Sequence, residues 1–118
     1  MLSLSNETKI HVYTGSVDMR KSIDGLVNLL ADGYKQNPQA GDLFIFTNKH
    51  RNKLKLLFWD HNGFVLYYKR MEKGRFCYSK YLHDDEIMIS MTQLKALLMG
   101  LDFYLMGKYN HDLCNDFF

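Results

Sequence analysis

The run FTNKHRNKLKLLFWDHNGFVLYYKR, Phe46 to Arg70, carries the reading on which the fold turns. Two apolar-rich stretches, KLKLLFWD and GFVLYYKRM, flank Asn62-Gly63, a pair suited to the positive φ angles of a tight hairpin turn. As strands about that turn, Trp59 pairs with Leu66, Leu57 with Tyr68 and Lys55 with Arg70; a turn at His61-Asn62 pairs Lys53 with Arg70 instead. Either register places Lys53, Lys55, Trp59 and Arg70 on one face and Leu54, Leu56, Phe58 and Tyr67 on the other. Antiparallel sheets commonly keep one face wet, so the Lys and Arg face is expected to point to solvent.

Upstream of this hairpin, LFIFTN reads as a buried strand, separated from it by the polar loop NKHRN. Three consecutive antiparallel strands result. Nearer the start, IHVYTG (Ile10 to Gly15) reads as a short strand. Within SVDMRKSIDGLVNLLADGY, residues Ile23, Leu26, Val27, Leu30 and Tyr34 recur at steps of three and four and mark one helical face. Ser16 or Asp18 is expected to cap this helix, and Gly33 and Pro38 to bracket its end. Gly25, unfavourable inside a helix by about 1 kcal/mol relative to Ala, suggests a close approach of other backbone. After Lys73-Gly74, RFCYSKYL reads as a less regular extended piece and IMIS as a short strand. SMTQLKALLMGLD is the final helix, with Ser90 as its cap and Met91, Leu94, Leu98 and Leu101 inward. The order predicts a single α+β domain over residues 1–118: an antiparallel sheet with a central three-stranded meander, its N-terminal and C-terminal helices covering one face.

Composition agrees with one soluble globular domain. The 118 residues are 47% hydrophobic and 24% charged, with one proline. No stretch is apolar enough to span a bilayer, and MLSLSNETKIHVY lacks the pattern of a secretion signal, so the expectation is a cytoplasmic protein without a membrane partner. Cys77 and Cys114 form no metal-binding spacing and are expected to be reduced and structural. The net charge of +2 is unevenly spread. Residues 49–80 hold nine Lys and Arg against Asp60 and Glu72, a local charge of +7, while the remainder, six basic against eleven acidic residues, carries −5. Such asymmetry points to a polyanionic partner near the middle of the chain.

The basic hairpin face, with cations at its open end and rings toward the turn, has the composition of a nucleic-acid surface, in which cations neutralise phosphates and rings stack on bases. The plain alternative is a solvated sheet face with Trp59 and Tyr68 packed under a helix. The loop Lys49 to Lys53 and the segment Lys69 to Arg75 lie at the same end of the hairpin, and this convergence favours the DNA reading. Asp84-Asp85-Glu86 is a poor metal site, because adjacent residues of an extended chain point in different directions. The five histidines are scattered, and no phosphate-loop or nucleophile motif occurs. A cryptic nuclease would have to draw carboxylates from Asp18, Asp24, Asp60 and Asp84. The sequence supports neither an enzyme nor a cofactor.

DMRKSIDGL (Asp18 to Leu26), LFIFTNKHRNKLKLLFWDHNGFVLYYKR (Leu43 to Arg70), MEKGRF (Met71 to Phe76) and ISMTQLKALLMGLD (Ile89 to Asp102), in this order and spacing, resemble TnpB, the small accessory protein of IS-sixty-six type bacterial insertion sequences. The resemblance runs from about residue 10 to 102. It does not extend to the similarly named RNA-guided nuclease of other insertion sequences, which is several times longer. It implies a non-catalytic role in transposition beside a separately encoded transposase. DNA is then the expected partner of Lys49, Arg51, Lys53, Lys55, Trp59, Lys69, Arg70, Lys73 and Arg75. The alternative is a protein-interaction module that holds the transposase through DMRKSIDGL, including Arg20 and Lys21, and through the aromatic terminus. Family members often end in a basic Trp-Arg-Arg-Pro-like tail, whereas here residues 103–118 are acidic and aromatic.

Overall fold

The computed structural model describes residues 7–78 and 85–101. Eight segments follow in order: β1 (Ile10–Ser16), α1 (Ile23–Asn28) with a π-helical continuation (Leu29–Gly33), β2 (Leu43–Thr47), β3 (Lys53–Asp60), β4 (Gly63–Arg70), β5 (Glu86–Ile89) and α2 (Met91–Leu98). The strands form one sheet of order β4-β3-β2-β1-β5. β2, β3 and β4 are consecutive antiparallel neighbours, as is β1 with β5. β1 and β2 run parallel, with Ile10 beside Leu43 and Val12 beside Ile45. This pair departs from the purely antiparallel expectation, and the reason is the helix between the two strands: a crossover returns the chain to the same end of the sheet, as parallel pairing requires.

The crossover also changes the layering. Tyr13, Phe44, Phe46 and Leu57 project to one side and pack with Leu26 and Leu30 of the first helical segment. Ile10, Val12, Leu43, Ile45, Leu54, Leu56 and Phe58 project to the other and pack with Leu94, Ala96 and Leu97 of α2, joined by Phe76 and Tyr78. The helices therefore cover opposite faces of the sheet, not one, and every residue of β2 is buried. The predicted helical face of Ile23, Leu26, Val27, Leu30 and Tyr34 does pack inward. Tyr34, carried past the π turn, stacks on Tyr13 at 3.9 Å between ring centroids.

α1 starts later than its spacing suggests, with extended Ser22 in the cap position and no side-chain cap bond. Val17 N–H donates to the Thr47 carbonyl (2.8 Å), prolonging the sheet contact, and the Asp18 carboxylate accepts from Arg20 N–H. Residues 17–21 are thus held as a turn ahead of the helix. A Cβ on Gly25 would lie 3.2 Å from Lys21 Cβ, so the close neighbour there is a side chain and not backbone.

α2 is closed at both ends. Ser90 and Gln93 make a reciprocal capping box. At the other end Gly100 N–H donates to Leu97 O (3.1 Å) and Leu101 N–H to Ala96 O (2.9 Å), a Schellman arrangement that needs the left-handed φ of 80° found at Gly100. Cys77 is buried; the expectation for the cysteine pair involves Cys114, which lies outside the described residues. No helix among the described residues is long and apolar enough to cross a membrane. Gly100→Ala forces an L-residue into left-handed backbone and sets its Cβ 2.8 Å from Met71 Cε; we expect a loss of about 1–2 kcal/mol in urea unfolding, and an unchanged midpoint would contradict the role given to this glycine.

Candidate functional site

The hairpin is registered Lys53↔Arg70, Lys55↔Tyr68, Leu57↔Leu66 and Trp59↔Phe64, with Asp60 opposite Gly63. The turn is therefore His61-Asn62, with His61 at φ 54°, and not Asn62-Gly63. Both registers preserve the faces, so Lys53, Lys55, Trp59 and Arg70 do lie on one side. That side is not the wet one, because α1 and the turn before it cover it.

Lys55 is the clearest consequence. It is 8% exposed, and its ammonium donates at 2.8 Å to the carbonyls of both Met19 and Lys21. The Tyr68 ring lies over the same nitrogen, 5.2 Å away at its centroid. These bonds hold the DMRK turn against the sheet and leave Lys55 unable to serve a phosphate. Lys69, on the opposite face, is likewise engaged: its Nζ donates to the Leu98 carbonyl at 2.6 Å, neutralising the C-terminal end of α2. Both leave the set of surface cations expected from the sequence.

The remaining cations converge. In the loop between β2 and β3, the Asn48 side-chain oxygen accepts from the backbone of Asn52 and of Lys53, both at 3.0 Å, and Arg51 N–H donates to Asn48 O at 3.0 Å. Arg51 adopts φ 56° within this turn. The segment after β4 is bound to the same loop, since Met71 N–H donates to Asn52 O (2.7 Å) and Phe76 N–H to Arg51 O (2.6 Å). Lys49, Arg51, Lys53, Arg70, Lys73 and Arg75 are thereby gathered at one end of the sheet, together with Glu72, which accepts from Arg70 at 2.9 Å. Lys49 and Lys73 are exposed, whereas the Arg51 guanidinium sits 5.6 Å from the Tyr78 ring centroid. Burial raises the pKa of the Tyr78 hydroxyl, and its bond with Thr47 and the nearby Arg51 oppose that shift.

Trp59 does not join this cluster. It is half-buried at the turn end of β3, edge-on to Phe64 at 4.9 Å. Tyr68, 51% exposed, is the ring beside the cations. Arg20 and Lys21 stand on the turn pinned by Lys55; the Arg20 guanidinium grips Asp18 at 2.7 Å and, with the Arg20 N–H, holds that carboxyl down to about 2, while the Arg20 pKa is raised in return.

A second polar group, around His11, carries no signal in the sequence. This buried ring stacks on Phe44 and meets Asp42 through Nε2 (2.9 Å) and Glu86 through Nδ1 (2.8 Å), tying β5 to the sheet. Glu86 belongs to the acidic run that invited a nuclease comparison, and its carboxylate faces histidine there; Asp84 of that run lies outside the described residues. Burial first, and then the Glu86 carboxylate, push the Tyr13 hydroxyl pKa far above its usual value. The two carboxylates meet opposite ring nitrogens and do not converge, and among the described residues no group of three or more ligands is placed to hold a metal.

The family model described as IS66 Orf2 like protein matches residues 8–108. The chain belongs to this family. Among curated proteins, this IS66 Orf2-like chain is 32% identical over 103 residues to the uncharacterized protein y4jC of Sinorhizobium fredii, covering 87% of each. It is 33% identical over 103 residues to the uncharacterized protein y4hO of the same organism, covering 87% of this chain and 89% of the relative. No solved structure matches. Membership makes the protein a transposition-associated accessory protein of an insertion-sequence system, in a family not known for catalysis.

Replacing Lys55 with Met keeps the stem and removes the donor of two part-buried carbonyls; unfolding should show a loss of about 1–3 kcal/mol, and a neutral result would remove Lys55 as the anchor of the DMRK turn. Asp18, with its folded-state pKa depressed, stabilises the turn above its ordinary 3.8 and loses that contribution as pH falls through about 2. An NMR titration of the Asp18 carboxyl should therefore have its midpoint near 2 and return toward 3.8 in Arg20→Ala.

Proposed function

We propose that this protein is a non-catalytic accessory subunit that binds DNA during transposition through the basic end of its sheet. The observation that carries this reading is the joining of two loops by the Met71–Asn52 and Phe76–Arg51 backbone bonds, which holds six cations at one end of the sheet. Cations so grouped, with Lys49, Arg70 and Lys73 exposed, favour phosphates by releasing counterions, and the contact needs no base-specific geometry. The working set is Lys49, Arg51, Lys53, Arg70, Lys73 and Arg75, with Tyr68 as the ring available for stacking. Lys55, Lys69 and Trp59 support the fold.

A second reading is supported by the DMRK turn. Lys55 fixes its backbone, while Arg20 and Lys21 remain exposed, a rigid presentation that suits a protein partner such as the transposase. In that case DNA is contacted by the transposase alone.

Gel-shift titration of duplex DNA across a salt series separates the two. Four phosphate contacts would give a log–log slope of about −4. Lys49→Glu, Lys53→Glu and Lys73→Glu combined should abolish binding while circular dichroism remains native. Affinity retained in that variant would exclude the basic end, and co-purification with the transposase from nuclease-treated lysate, lost in Arg20→Glu with Lys21→Glu, would favour the second reading.

A further inference from the structure

The two edges of the sheet are unlike. β5 offers four residues, whereas β4 offers eight in unbroken register with β3, and no described strand pairs with its outer side. The Met71–Asn52 bond fixes the phase of the ladder. Since that pair faces β3, alternation turns the backbone N–H and C=O of Phe64, Leu66, Tyr68 and Arg70 outward, away from the sheet. Edge strands of this length are ordinarily blunted by proline, a bulge or an outward lysine. β4 has no proline and no register shift, and its lysine, Lys69, is folded onto the Leu98 carbonyl. Apolar surface accompanies the open edge: Val65 is 40%, Tyr67 37% and Tyr68 51% exposed.

We propose that the β4 edge is a self-association surface, pairing antiparallel with β4 of a second copy about a two-fold axis through Tyr67 to make a continuous ten-stranded sheet. The sequence of β4 is complementary to itself in this register. Outward groups then meet as Leu66 with the other copy's Tyr68 and Phe64 with its Arg70, setting a guanidinium against a ring. On the opposite face Val65 meets the other copy's Lys69, and Tyr67 meets its own counterpart. No two cations face each other, although β4 ends in two of them, and the exposed apolar residues are covered. A two-fold contact requires such self-complementarity. The inference needs no DNA and stands apart from the function proposed above; it sets one basic end at each extremity of the joined sheet.

The test uses the full chain without nucleic acid. Light scattering on a sizing column at micromolar concentration should return twice 13.9 kDa, and Tyr67→Glu, which sets a carboxylate against its own copy, should return one chain with unchanged circular dichroism. Register is read by mild oxidation. Tyr67→Cys places two thiols at a directly opposed pair and should cross-link, whereas Val65→Cys, opposite Lys69, should not. A wild-type mass of one chain, a dimer indifferent to Tyr67→Glu, or cross-linking through Val65→Cys equal to or above that through Tyr67→Cys would each overturn the proposal.

Discussion

Because every residue from Leu43 to Thr47 is withdrawn from water, the sheet has to be covered on both faces, and the rest of the architecture follows from meeting that demand. Phe44 and Phe46 on one side require α1, and Leu43 and Ile45 on the other require α2. The first helix reaches its face only as a crossover between parallel strands, which explains why a chain made mostly of antiparallel pairs contains one parallel pair at its centre. The turn leading into that crossover must then lie against β3, where its carbonyls need donors. Lys55 supplies them from the strand itself. A residue of the charged alternation thus becomes a buried strut, because burying two carbonyls without a partner costs more than threading a lysine stem through apolar surroundings.

The hairpin, the second helix and its cap were legible because each depends on neighbours in sequence. Alternation in KLKLLFWD, the Ser90-x-x-Gln93 spacing and the helical face through Leu26 and Leu30 all act over a few residues. Register was less so: turns at His61-Asn62 and at Asn62-Gly63 keep the same faces, so hydrophobic pattern does not distinguish them. Which face meets water is hidden from the sequence for a different reason. Whether Lys55 sees water is decided by Met19 and Lys21, far upstream in the chain, and no local pattern carries that information. Trp59 follows the same logic, since its partner Phe64 was fixed only once the register was. The convergence of the two basic loops was readable from hairpin geometry, but the backbone bonds that join them depend on Asn52 and Arg51 carbonyls, to which every sequence is alike.

The polar contacts around His11 and the lysine contacts at Met19, Lys21 and Leu98 share one role. Each lets a charged or polar side chain finish a junction that apolar packing leaves open: β5 to β1, the DMRK turn to β3, and the end of α2 to β4. Such residues look functional in a sequence because they are charged, and structural in three dimensions because their partners are backbone or buried.

The Asn48 clamp has a bearing on selectivity. With its side-chain oxygen shared between two backbone donors and Arg51 already in left-handed backbone, the loop that carries Lys49 has little conformational freedom left to lose. A ligand that binds there is spared the entropy of ordering a floppy loop. It also meets a template that does not yield, so the strain of any mismatch in spacing falls on the ligand's own backbone. On the proposed DNA-binding reading, stiff and compliant polyanions of equal charge would therefore be told apart at this end by their mechanics, with no contact to a base.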